Sequence, residues 1–151
     1  MGRRDEELYL KHSDELIRFA TPLVGPSLAE DVFSAAVIKA MTSPTWPAVT
    51  EPRAYLYRVV ANEARRTWRS DQRRILREEH VSSAGASSSQ LVSSEVLDAM
   101  RRLSLRERSV LFLAYWPEMS IAEIGAVLQI SVRSVERALT QGRRQLEESL
   151  K

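Results

Sequence analysis

The chain has no cysteine and only two histidines, His12 and His80, in 151 residues. The first absence excludes disulfide staples, thiolate zinc sites and cysteine nucleophiles. The second leaves too little imidazole for a histidine metal cage or a pair of acid–base groups. No Gly-rich phosphate loop and no serine-triad context is visible. No apolar run approaches the roughly 18 residues that span a bilayer. The start, Met1-Gly2-Arg3-Arg4-Asp5-Glu6-Glu7, lacks a signal-peptide apolar segment. These absences predict a cytoplasmic protein with no cofactor, no metal and no membrane insertion. They also argue against an enzyme: the paired carboxylates Asp5/Glu6 and Glu147/Glu148 sit at helix ends or in charged runs, where solvation explains them.

What is present begins with charge. The formal net charge is only +2, but it is unevenly placed. Residues 1–52 carry a net −3, residues 53–77 a net +6, residues 78–130 a net −3 and residues 131–151 a net +2. Two basic segments in acidic surroundings suggest two contacts on a polyanion. Nearly all the basic residues are Arg, which suits phosphate and base-edge contacts.

The hydrophobic pattern has a helical period and no sustained alternation, predicting an all-α protein. The first helix is expected over about Asp5–Ala20, with Leu8, His12, Leu16 and Phe19 on one stripe and Pro22 ending or kinking it. Ser27-Leu28-Ala29-Glu30 reads as a capping box opening a second helix to about Met41. Residues 43–52 carry three prolines and are expected to be non-helical. A third helix is expected from Pro52 or Arg53 to about Arg77. The Ser-rich residues 78–93 read as a flexible linker between two small helical domains, 1–77 and 94–151. In the second, Ser104-Leu105-Arg106-Glu107 and Ser120-Ile121-Ala122-Glu123 are further capping boxes, and Ser131 caps a last helix.

Residues 120–146 have the pattern of a helix-turn-helix, within a C-terminal unit of four helices. Ile121, Ile124 and Leu128 line one face of its first helix, and Ile130 plugs the turn. Val132, Val135, Leu139, Gly142 and Leu146 line the second, a set that crossing helices must bury. Arg133, Arg137, Gln141 and Arg144 fall on the opposite stripe, where Arg and Gln can bond guanine and adenine edges in a major groove. Gln129 occupies a turn position that favours glycine, at a cost of about 1 kcal/mol. On 53–77, Leu56, Val60, Ala64 and Trp68 face a core. Arg58, Asn62, Arg65 and Arg69 form another stripe, with Arg66, Arg73 and Arg74 beside it. Trp46, Tyr55 and Tyr57 are placed to stack on unpaired bases.

This arrangement resembles the extracytoplasmic-function (ECF) subgroup of bacterial sigma-70 family sigma factors. The resemblance rests on stretches such as Ala29-Glu30-Asp31-Val32-Phe33, Tyr55-Leu56-Tyr57-Arg58-Val59-Val60-Ala61-Asn62, Leu103-Ser104-Leu105-Arg106-Glu107-Arg108 and Ile130-Ser131-Val132-Arg133, in that order. It implies a protein that binds core RNA polymerase, directs it to promoter DNA and helps melt the duplex, under the control of an anti-sigma factor. Asp31, Ser34, Ala35 and Ile38 would face the polymerase. Trp46, Tyr57, Arg58, Asn62, Arg65, Arg66 and Arg69 would hold the minus-ten element. Arg133, Ser134, Arg137, Gln141 and Arg144 would read the minus-thirty-five element. Departures from the family pattern are Ser34 and Ala35 on the polymerase face, and Glu136 and Ala138 where basic residues are usual. Ser34, Ala35 and Glu136 keep in view a sigma-like decoy that binds only an anti-sigma factor, and a stand-alone helix-turn-helix regulator is the other alternative.

Overall fold

The computed structural model describes residues 2–70 and 94–150. The expected linker, with His80, and Arg73 and Arg74 lie outside the described residues. Among the described residues the chain is helical throughout, with no strand: α1 (Arg3–Val24), α2 (Pro26–Thr42), α3 (Pro52–Ser70), α4 (Ser94–Met100), α5 (Leu105–Tyr115), α6 (Ile121–Leu128) and α7 (Val132–Ser149).

The first three helices pack as a bundle. His12, Leu16, Phe19 and Leu23 recur at three- and four-residue spacing and bury one stripe of α1. Contrary to expectation, α1 passes Pro22 and ends at Val24. Proline removes one helical bond, but Leu23 and Val24 are both fully buried, and burying a side chain of that size contributes about 1.5–3 kcal/mol. The expected capping box at Ser27 is not formed either. The N-cap of α2 is Gly25, at φ 90°, with no side-chain cap bond, and Pro26 supplies the first turn. Only glycine adopts that φ without strain, which lets α2 follow α1 with a single residue between them. The proline-rich loop, expected to be non-helical, contains a short 3-10 turn, Trp46–Ala48, in which Ala48 N–H donates to the Thr45 carbonyl.

In the C-terminal half the helix starts are those expected. Ser104 with Glu107 and Ser120 with Glu123 form complete capping boxes, and the Ser131 hydroxyl accepts from the Ser134 N–H. Gln129 is left-handed at φ 58°. A Cβ on Gly125 would stand 3.0 Å from the Ile130 carbonyl, so a small residue lets the turn close against α6. Val135, Ala138, Leu139 and Gly142 form the buried face of α7. Val132, expected to line that face, is 49% exposed, because it occupies the first position of α7, outside the helix crossing.

The two halves share one continuous buried core. The Phe19 ring of α1 lies 5.3 Å from Phe112 of α5, which stacks on Trp116.

Candidate nucleic-acid interface

The α7 face is simple. Arg133, Arg137, Gln141 and Arg144 are all exposed, opposite the buried stripe of Val135, Leu139 and Gly142. Among the described residues none of the four is held by a hydrogen bond or ion pair. Ser134 is drawn into the cap: its N–H donates to the Ser131 hydroxyl and its own hydroxyl accepts from Ser131 at 2.9 Å. Glu136 is exposed. Ala138 is buried, so the missing basic residue there is missing from the core side of the helix.

The α3 face is occupied. Arg58 is half-buried, and its Nη2 donates to the Ala126 carbonyl of α6 at 3.1 Å. The Arg58 Nε is buried without a hydrogen-bond partner among the described residues. Asn62, Arg65, Arg66 and Arg69 are exposed. The Asn62 amide oxygen accepts from Arg65 Nη2 at 2.6 Å, and Arg66 lies 3.9 Å from Glu63. Asn62, Arg65 and Arg69 form one wall of a cleft of about 250 Å³, faced by Leu105, Arg106 and Ser109 of α5 and by Leu128 and Ile130 at the turn. Arg106 adds a third guanidinium to that cleft. The sequence placed it only in a capping box, and its face could not be known before the halves were docked.

Two aromatic residues expected to stack on bases are core residues instead. Trp46 is 3% exposed, and its indole N–H donates to Asp5 at 2.7 Å while the Arg4 guanidinium lies over the ring. Tyr57 is 1% exposed, and its hydroxyl donates to Glu15 at 2.8 Å. In both cases α1 supplies a carboxylate that satisfies the polar tip of the ring, which lets the whole side chain be buried. Tyr55 is half-buried beside Trp46.

Glu15 is the centre of a polar knot that sequence reading did not reveal. It accepts from Arg53 Nε at 3.0 Å and from Tyr57, and bonds His12 Nδ1 at 2.8 Å. Burial pushes its carboxyl up, but the bonds from Arg53, His12 and Tyr57 outweigh this and hold it below the usual value of 4.5. Burial, and then the negative Glu15, push the Tyr57 phenol far up, keeping it a neutral donor. The Glu15 bond also raises Arg53.

On α2, Asp31, Ser34 and Ile38 are exposed and Ala35 is half-exposed, along the face opposite Val32, Phe33, Ala36 and Val37. Ile38 is 64% exposed, an uncovered apolar side chain at the end of this stripe. Among the described residues no group of carboxylates and imidazoles is placed to hold a metal ion, and no helix is long and apolar enough to cross a membrane.

Comparison with known proteins fits this geometry. Residues 8–74 match the family model for Sigma-70 region 2, and residues 93–146 that for Sigma-70, region 4. The RNA polymerase sigma-E factor of Streptomyces antibioticus is 30% identical over 96% of this chain and 83% of its own length. That of Streptomyces avermitilis is 29% identical over 96% and 84%. Among solved structures, the sigma factor RpoE in complex with the anti-sigma factor NepR from Bartonella quintana has the same fold (TM-score 0.76, 20% identity, 99% of this chain and 98% of that one). So does CnrH in complex with the cytosolic domain of CnrY (TM-score 0.70, 21% identity, 98% and 88%). With both sigma regions matched in order and a relative aligned along nearly its whole length, the chain belongs to the sigma-70 family, as an RNA polymerase sigma factor of the ECF type.

Proposed function

We propose that this chain acts in the cytoplasm as a transcription initiation factor with no chemistry of its own, using residues 1–77 and 94–151 as separate promoter-reading domains. The α7 row reads the minus-thirty-five element: Arg137 and Gln141 bond base edges, while Arg133 and Arg144 bond base edges or flanking phosphates. Ser134 acts through the cap it forms with Ser131, which holds the helix N-terminus in place. The α3 row holds the minus-ten element. With Trp46 and Tyr57 committed to the core, capture of an extruded base falls to Asn62, and Arg58, Arg65, Arg66 and Arg69 hold the adjacent backbone. Contacts of that kind offset an unpairing cost of a few kcal/mol without nucleotide hydrolysis. Asp31, Ser34, Ala35 and Ile38 dock on core polymerase. One of the solved neighbours is a complex with an anti-sigma factor, and we infer a partner of that class for this chain.

The observation that carries this reading is the α7 row: exposed guanidiniums and an amide, on one stripe of a helix-turn-helix, with no internal partner among the described residues. The test is transcription by core polymerase over a library of genomic promoters. The expected result is a set of transcripts that require this chain, with Asn62→Ala changing promoter preference at the minus-ten positions. Tight binding to core polymerase with no promoter responding would overturn the reading. A chain that binds an anti-sigma factor but never polymerase would be the decoy.

A further inference from the structure

We propose that Lys39 is a positioning residue for the minus-ten grip: reaching from α2, it satisfies the buried Glu63 carboxylate and so leaves Arg66 of α3 available to the promoter backbone. The inference rests on the assignment of α3 to promoter DNA made above.

Glu63 is an acid set in the middle of the basic row, directly after Asn62 and three residues before Arg66. It is only 8% exposed, and a carboxylate so placed needs donors. Lys39 Nζ supplies them, donating to Oε1 at 2.6 Å and to Oε2 at 3.1 Å. The other cation within reach is Arg66, whose Nη1 stands 3.9 Å from Oε1. That is inside ion-pair range but about 1 Å longer than a charge-assisted hydrogen bond. Lys39 therefore takes the bonds, and the Arg66 side chain stays 73% exposed. Lys39 follows Ile38, the uncovered apolar residue of the polymerase stripe, yet its ammonium is committed to α3. It stands at the seam between the two faces.

The seam matters because few guanidiniums on α3 are uncommitted. Arg53 is bonded to Glu15, Arg58 to the Ala126 carbonyl and Arg65 to Asn62. Arg66 and Arg69 make no guanidinium hydrogen bond among the described residues. Lys39 and Glu63 together carry no net charge, so a phosphate beside Arg66 meets one uncompensated cation. Without Lys39 the carboxylate would have two open acceptor oxygens, and a shift of about 1 Å would give Arg66 a full hydrogen-bonded pair. The phosphate would then face an arginine already neutralised. A residue that touches no DNA thus decides whether one phosphate contact is made.

The test uses holoenzyme assembled from core polymerase and the full chain, on a promoter from the genomic library with its minus-ten strand left unpaired. Lys39→Met should weaken binding about tenfold, the usual worth of one bond to a charged group, and lower the salt slope by about 0.7. Affinity for core polymerase should be unchanged. Lys39→Arg, which keeps the cation, should keep both DNA readouts. Adding Glu63→Gln to Lys39→Met should restore them, which a role for Lys39 in packing alone would not allow. Arg66→Ala should cost about tenfold in the wild-type chain and nothing further in Lys39→Met, because the contact is already lost. Should Lys39→Met lose helicity by circular dichroism, Glu63→Gln alone serves: removing the negative charge should tighten binding about twofold, and weaker binding would overturn the proposal. So would an equal cost of Arg66→Ala in both backgrounds, a loss that Glu63→Gln does not restore, or a loss of core affinity alone. If wild-type holoenzyme itself does not hold the unpaired strand, the assignment of α3 to DNA falls, and the role of Lys39 with it.

Discussion

On α3, Arg53 is bonded to Glu15, Arg58 to the Ala126 carbonyl and Arg65 to Asn62, while Arg66 lies near Glu63. On α7, Arg143 donates to the Tyr115 hydroxyl, but Arg133, Arg137 and Arg144 stand exposed with no partner among the described residues, as only Arg69 does on α3. The two helices look alike as charge patterns but hold their charge differently. An arginine with an internal partner contributes to the fold and must give that contact up, or share it, to reach a phosphate. One without a partner is free for an external ligand. Charge density in a sequence therefore overstates the nucleic-acid surface of α3 and describes that of α7 fairly.

The sharpest way to break this comparison is at Glu15. If Arg53 and Tyr57 are structural, Glu15→Ala should destabilise the chain by about 2–3 kcal/mol, because it leaves a guanidinium and a phenol without their acceptor. Urea unfolding would measure it. The pH dependence has a definite sign. The Glu15 carboxyl titrates below its unfolded value of 4.5 in the folded chain, so its contribution is fully present above that value and is lost as pH falls through the folded pKa. The stability gap between wild type and Glu15→Gln should thus narrow as pH falls below 4.5. A gap that widens toward acid would mean the knot holds the protonated form.

The second prediction concerns the other helix. Arg137→Ala should leave the urea midpoint nearly unchanged, within about 0.5 kcal/mol. It should cost about 1–3 kcal/mol of discrimination at one minus-thirty-five position, read by competition between promoter variants bound to the holoenzyme. A large loss of stability would place Arg137 in the fold and erase the contrast with α3.

Arg65 lies between these cases, exposed yet bonded to Asn62. Arg65→Ala should weaken single-strand binding across sequences alike and lower the salt slope by about 0.7. It should also free the Asn62 amide. A change in base preference rather than in salt slope would make the Arg65–Asn62 pair a reading unit instead of a phosphate contact.

Local rules made much of this molecule legible. Capping boxes at Ser104 and Ser120 depend on residues three apart, so chemistry and spacing alone locate them. The buried stripes of α1 and α3 follow from the helical period. What sequence missed depended on contacts between distant segments. Trp46 lies in a proline-rich loop, and nothing nearby in sequence shows that Asp5, at the start of α1, meets its indole. Tyr57 and Glu15 are brought together only by the packing of α1 on α3. Arg108 reads as one more surface cation unless the Pro22 carbonyl and the Trp68 ring are known to surround it. The α2 start failed for a different reason: Gly25 and Pro26 begin the helix ahead of Ser27, which therefore stands inside its first turn and not at the cap.

The smallest expected effect tests how firmly the open α7 face is aimed. Gln129 sits at φ 58° and ψ 46°, the left-handed turn between α6 and α7. A side chain costs about 1 kcal/mol there, and glycine recovers part of that while losing some through its freer unfolded state. Gln129→Gly should therefore stabilise the chain by about 0.5 kcal/mol, and Gln129→Val, branched at Cβ, should destabilise it by about 1 kcal/mol. Urea midpoints at unchanged slope would show the order glycine, glutamine, valine. The slope matters, because an altered slope would signal a changed unfolded state rather than relief of turn strain. If the turn fixes the angle at which Arg133, Arg137 and Gln141 meet the groove, the valine variant should also lose part of the discrimination that Arg137→Ala removes. The glycine variant should keep it. Three equal midpoints would mean that the turn yields to its residue, and that the packing of Val135 and Leu139 alone sets the angle of α7.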